Sequence, residues 1–174
     1  MKKMKRLVAV LLVGIMALAM LTACGVTPSA PSMRDTALER DVAKWTVEWG
    51  QSKGQTLTLD PELTEISNKC LPTAVKAENA RLAFPKDQNA SDDALKERET
   101  FFAAAKNGKK AALVPVTIPS VEIVTKVTLA DAASRIKKDI QNKLKEADVK
   151  NPAKFGVTVT KQKEYTLVLF VVSE

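Results

Sequence analysis

Apolar side chains first settle into a helical rhythm at Leu38, Val42, Trp45 and Trp49, spaced so that all four share one face. Ser32 and Asp35 form a capping-box-like start for this helix, and Gly50 or Gly54 ends it. On such a face the two tryptophans read as core residues rather than as a ligand-stacking pair. Thr56-Leu57-Thr58-Leu59 is a short extended segment leading to Asp60-Pro61-Glu62. Asp60 suits the N-cap and Pro61 the first helical position, where a missing N–H is no loss. Leu63, Ile66, Cys70 and Leu71 line one face of this second helix. Pro72 predicts a kink or a split there, because an interior proline removes a hydrogen bond and clashes with the preceding turn; Val75 to Ala83 resumes the helix. Phe84 to Ala90 reads as a loop. Ser91, Asp92 and Asp93 start a third helix that runs to Asn107 and stops at Gly108.

The pattern changes at Ala111. "AALVPVTIPSVEIVTKVTL" is rich in Val, Ile and Thr and is interrupted by Pro115 and Pro119. It reads as one or two strands, partly at a sheet edge, where proline is tolerated. Thr128 and Asp131 then cap a fourth helix with Leu129, Ala133, Ile136, Ile140 and Leu144 as its apolar stripe, closed by Pro152. Gly156 to Thr160 and Tyr165 to Val172 form a terminal hairpin. Along Leu167 to Val172 both alternating sets are apolar, which marks a central strand covered on both faces.

Ahead of this pattern, Lys2, Lys3, Lys5 and Arg6 precede an unbroken small-and-apolar run from Leu7 to Leu21. The run falls short of the ~20 apolar residues that span a bilayer. A basic start, a short apolar core and a small-residue exit read as a secretory signal peptide. The exit, Leu21-Thr22-Ala23-Cys24, resembles the lipobox of bacterial lipoproteins. That resemblance implies cleavage between Ala23 and Cys24 and a diacylglyceryl group on the Cys24 sulfur. Residues 1–23 are then a lipoprotein signal peptide, 24–32 a lipidated tether, and 33–174 a single globular domain. Gly25 to Ser32, with Pro28 and Pro31, has no apolar periodicity and reads as a semi-extended tether of roughly 3 Å per residue. The expected location is extracytoplasmic and lipid-anchored, at the outer membrane or the outer face of the plasma membrane. Gly25 is not an aspartate, so nothing argues for inner-membrane retention in a two-membrane cell.

The formal charge of +7 overstates the mature chain, which keeps 23 basic and 20 acidic residues, a net of +3, once the signal peptide is removed. The charge is uneven: Lys106 to Lys163 holds 13 basic and 5 acidic residues. A solvated lysine-rich helix face explains this best, with attraction to anionic surfaces such as lipid headgroups or envelope wall polymers as the functional reading; a protein partner is the other expected partner. With Cys24 acylated, Cys70 has no partner within the chain and reads as a buried small hydrophobe. The chain has no histidine, which removes Ser-His-Asp and Cys-His catalysis and the commonest transition-metal ligand. No phosphate-cradling glycine loop is present. The acids Asp60, Glu62, Asp92 and Asp93 sit at helix starts, where the helix dipole favours them. No cofactor or metal is expected. One Tyr and five Phe without basic-aromatic alternation offer little platform for nucleic acid.

Two stretches carry a further resemblance. "LERDVAKWTVEWGQSKGQTLTLDPELTEIS" is similar to the opening of a CAP domain, the superfamily of secreted cysteine-rich proteins, with Gly54, Leu57, Asp60 and Leu63 at matching spacing. "FGVTVTKQKEYTLVLFVVS" is similar to the hairpin that closes the CAP sheet, with Gly156, Val157 and Tyr165 in register. The resemblance implies a three-layer α/β/α sandwich around a small mixed, mostly antiparallel sheet. This chain has Val47 and Gly50 where the family's first helix offers an asparagine and an arginine, and it lacks the two histidines of the family's cleft. No cleft residue carries over. The expectation is therefore a non-catalytic, membrane-anchored envelope lipoprotein acting as a binding or interaction module; the alternative is an envelope hydrolase that uses carboxylates or the free thiol.

Overall fold

The computed structural model describes residues 34–83 and 88–174. The expected signal peptide, Cys24, the expected tether and Ser32 lie outside the described residues, as do positions 84–87 of the loop expected from Phe84 to Ala90. Among the described residues there are five helices and four strands, in the order α1 (Thr36–Ser52), β1 (Thr58–Leu59), α2 (Pro61–Ala83), α3 (Gln88–Ala105), β2 (Ala111–Pro119), α4 (Lys126–Arg135), α5 (Lys137–Glu146), β3 (Lys154–Lys161) and β4 (Tyr165–Ser173). None of these helices is long and apolar enough to cross a membrane.

The sheet runs β1-β3-β4-β2. β4 is antiparallel to both neighbours, and the short β1 adds to β3 in parallel. This is the central position expected for the Tyr165 to Val172 run, and its two apolar faces are used separately. Tyr165, Leu167, Leu169 and Val171 join Leu63, Ile66, Cys70 and Leu71 of α2 and Phe102 of α3 in one core. Val168 joins Val42 of α1, Leu129 and Ala132 of α4, and Phe155, Val157 and Val159 of β3 in the other, with Phe170 and Val172 packed against it. The result is a helix layer on each face of a small mixed sheet, the three-layer α+β arrangement that was expected.

α2 is tied to the sheet at both its start and its middle. Asp60 caps it, its carboxylate accepting from the N–H groups of Glu62 (2.8 Å) and Leu63 (3.2 Å), while the Asp60 N–H donates to the Phe155 carbonyl at 2.7 Å. Further along, the buried Ser67 hydroxyl donates to the Leu169 carbonyl at 2.7 Å.

Several local expectations are corrected. α2 is one helix through Pro72, not split there, and the proline lies on its exposed side. α3 begins at Gln88, before Ser91. Of the one or two strands expected from Ala111 there is one, Ala111–Pro119, at the sheet edge as expected, and Ser120 to Thr125 is a loop. Thr125, not Thr128, is the N-cap of α4. Thr128 is its reciprocal partner, the two side chains each accepting from the other's backbone N–H. The expected fourth helix is two helices broken at Ile136. Trp45 packs against the core, whereas Trp49 is 50% exposed.

Candidate functional site

Ala23 and Cys24, the expected cleavage and lipidation positions, lie outside the described residues. Cys70 sits at the centre of α2, facing β4, with no exposed surface. Burial pushes its thiol up to about 11, because a thiolate loses its hydration there. A thiol held in that state is neither a nucleophile nor a metal ligand near neutrality. In the Arg34–Glu174 unit, Cys70 is expected to react with a thiol reagent roughly a thousandfold or more slowly than in the unfolded chain, since reaction requires the fold to open. Native and urea-unfolded labelling rates measure this, and rapid native labelling would restore a redox role.

The acids on the surface of α3 are dispersed. Asp92 and Asp93 are exposed on the first turns of α3. Glu97 and Glu99 diverge, Glu97 toward Lys76 of α2 and Glu99 toward Arg98 (2.7 Å) and Lys143 of α5 (3.2 Å). Among the described residues no three His, Cys, Asp or Glu side chains come together as a metal-holding group.

Among the described residues the buried carboxylates are two others, Glu39 and Glu78. Glu39 follows the Asp35 N-cap of α1 by about one turn. It accepts from Arg34 Nε at 3.0 Å, from Arg34 Nη2 at 2.6 Å and from the buried Val159 N–H at 3.0 Å. Glu78 is held on α2 by the Arg81 fork, at 2.9 Å and 2.6 Å. Burial pushes the Glu78 carboxyl upward. The hydrogen bonds from Arg81 and Thr117, with the charges of Arg81 and Arg98, more than reverse that, so it rests below the ordinary carboxylate range. Beside it the Tyr165 hydroxyl donates to Asn79 Oδ1 at 2.8 Å, and burial, assisted by the Glu78 charge, pushes that hydroxyl up to about 12. A general acid or base works best with a pKa near the operating pH, and these two groups are moved away from it in opposite directions. The sequence signal for the buried acids is phase: Glu78 continues the Leu71, Ala74 and Val75 face, and Glu39 precedes Val42 and Ala43 on theirs.

A cavity of about 140 Å³ lies at the β2 edge, between α3 and α5 and over Ala111 to Leu113. Phe102 forms its floor with the strand, and the Lys143–Glu99 pair belongs to its lining. Its volume is well below the ~300–1,000 Å³ of typical small-molecule sites; it suits a few waters or a very small polar molecule.

Val47 and Gly50 of α1 both lie toward the core. Val47 packs against the α1-side core. Gly50 is buried, and a β-carbon placed on it would lie 2.9 Å from Leu57 Cγ. No protein-family model matches the chain, and no curated protein does.

Proposed function

We propose that the chain is a membrane-anchored cell-envelope lipoprotein whose Arg34–Glu174 domain is a non-catalytic binding or interaction module, a degenerate CAP-like domain without the family's cleft. The observation that carries this reading is the state of its buried acids. Glu39 and Glu78 are each clamped by an arginine, and a carboxylate committed to two charge-assisted hydrogen bonds is a structural anchor rather than a base. The small edge cavity favours recognition of a polymer or protein by the outer surface over capture of an enclosed substrate. The exposed lysines of α5, a helix without a buried residue, are solvated and available to anionic envelope material. The lipobox sequence supports the anchor, and the two motif stretches together with the layer order support the CAP likeness.

The test is turnover. The purified Arg34–Glu174 domain is expected to show no hydrolysis of peptide, peptidoglycan or ester substrates, and no stoichiometric zinc by metal analysis. Turnover abolished by substituting one Asp, one Glu or Cys70 would replace this reading with an envelope hydrolase.

A further inference from the structure

Three chain segments meet at one end of the sheet. The incoming chain runs there: Arg34 bridges to Thr160, and the Asp35 N–H donates to the Val159 carbonyl at 2.8 Å. The β3–β4 turn closes there, after Lys161. The β2–α4 loop leaves from there, Pro119 opposite Tyr165 and the Ser120 N–H on the Glu164 carbonyl at 3.0 Å. The first residues of that loop turn back through Glu122 N–H to Pro119 O. This leaves Val121 91% and Ile123 82% exposed, with Val127 of α4 68% exposed just beyond. These three are the most exposed of the large apolar side chains in the described residues.

We propose that the Val121–Ile123 loop is a lipid contact, which dips into the membrane that holds Cys24 and fixes which end of the domain faces it. The inference rests on the lipid-anchor reading above. Its occupant follows from chain length: between Cys24 and Arg34 the chain reaches at most ~35 Å even when fully extended. Arg34 is separated from β2 across the sheet by about three strand spacings, ~15 Å. The tether therefore enters the domain at the end bearing Val121, which reaches the lipid with the tether slack, whereas the end bearing Lys110 and Asp148, a strand length further at ~30 Å along nine residues, reaches it only with the tether almost fully drawn out. Charge does not drive the contact. Lys161 is paired with Asp35 and Lys126 with Glu48, and Glu122 and Glu164 share this end with Lys163. The apolar side chains supply the attraction, so it is independent of anionic lipid.

The experiment uses the full chain, purified from membranes and reconstituted into vesicles of phosphatidylethanolamine with or without phosphatidylglycerol. Val121→Cys and, at the opposite end, the exposed Asn151→Cys are each labelled with an environment-sensitive thiol dye; Cys70 is buried and Cys24 is blocked by its lipid. Lipid-borne nitroxide is expected to quench the dye at position 121 several-fold more than at position 151, equally in both vesicle types. Equal quenching at the two positions in a chain that floats with the vesicles overturns the loop proposal and leaves the anchor standing. A wild-type chain that does not float and takes up dye at Cys24 overturns the anchor and the loop together. Self-association of the Arg34–Glu174 domain that is lost in Val121→Ser/Ile123→Ser, without preferential quenching, assigns the loop to a second copy instead and also overturns it.

Discussion

Gly156→Ala is expected to destabilise the domain by about 3 kcal/mol or more, at the upper end of what overpacking causes. A β-carbon at Gly156 would lie 2.1 Å from both Leu63 C and Thr64 N and 2.4 Å from Leu63 O. Those are backbone atoms of the first turn of α2, so no side-chain rotation relieves the clash. Nor can the turn slide, because Asp60 ties it to the neighbouring Phe155 carbonyl and caps it. Admitting the methyl lifts α2 from β3 and exposes Leu63 and Ile66, which are buried against the sheet. A fall in Tm of about 10 °C or more follows for a domain of this size. Gly54→Ala is the contrast. Its φ of +72° strains any L side chain, but nothing lies within 4 Å, so its loss is about 1–2 kcal/mol. Paired thermal melts separate the two effects, and equal stability of Gly156→Ala and wild type would refute the α2–β3 contact.

The elements that were legible in the sequence are those whose burial is decided by one run of residues. Leu167 to Val172, apolar on both alternations, could be stable only between two layers, and it lies there. Asp60-Pro61 started α2 where it starts because the cap and the first turn are local chemistry. Pro72 does not split α2; it lies on the exposed side of the helix, a placement set by the fold and not by the local sequence. Ser120 to Thr128 misled by composition. Valine, isoleucine and threonine favour strands by packing on a half-buried surface, but Val121 and Ile123 have no surface to pack on, and Thr125 with Thr128 caps a helix instead.

The full surroundings of the two buried carboxylates were not legible, since Glu39 is completed by a backbone N–H 120 residues away and Glu78 by Thr117 on the edge strand. Periodicity puts each carboxylate on a buried face with an arginine close by in sequence, Arg34 five residues before Glu39 and Arg81 three after Glu78; only the fold shows which sheet groups complete them. Removing a partner from such a pair leaves a charge in a place from which water is excluded. This is why both acids read as anchors of the frame, α1 to β3 and α2 to β2, rather than as reagents.

Cys24→Ser is expected to abolish acylation and, with it, firm membrane attachment. The serine hydroxyl does not supply the thiolate that takes up the diacylglyceryl group, so the acyl mass disappears from the chain. Each CH₂ of such a group contributes ~0.8 kcal/mol in the bilayer, and two chains hold firmly where a single myristoyl chain holds only reversibly. The exposed Val121 and Ile123 side chains cannot substitute for that. Fully buried, they give about 3–6 kcal/mol together, less than one myristoyl chain; they orient a domain already anchored but do not retain a free one. Intact-mass measurement and detergent phase separation read the two consequences independently. A variant still held through its Leu7–Leu21 run is recognised by the added mass of residues 1–23, and it too lacks the acyl mass. A serine variant that carries acyl chains would show that Cys24 is not the lipidated residue.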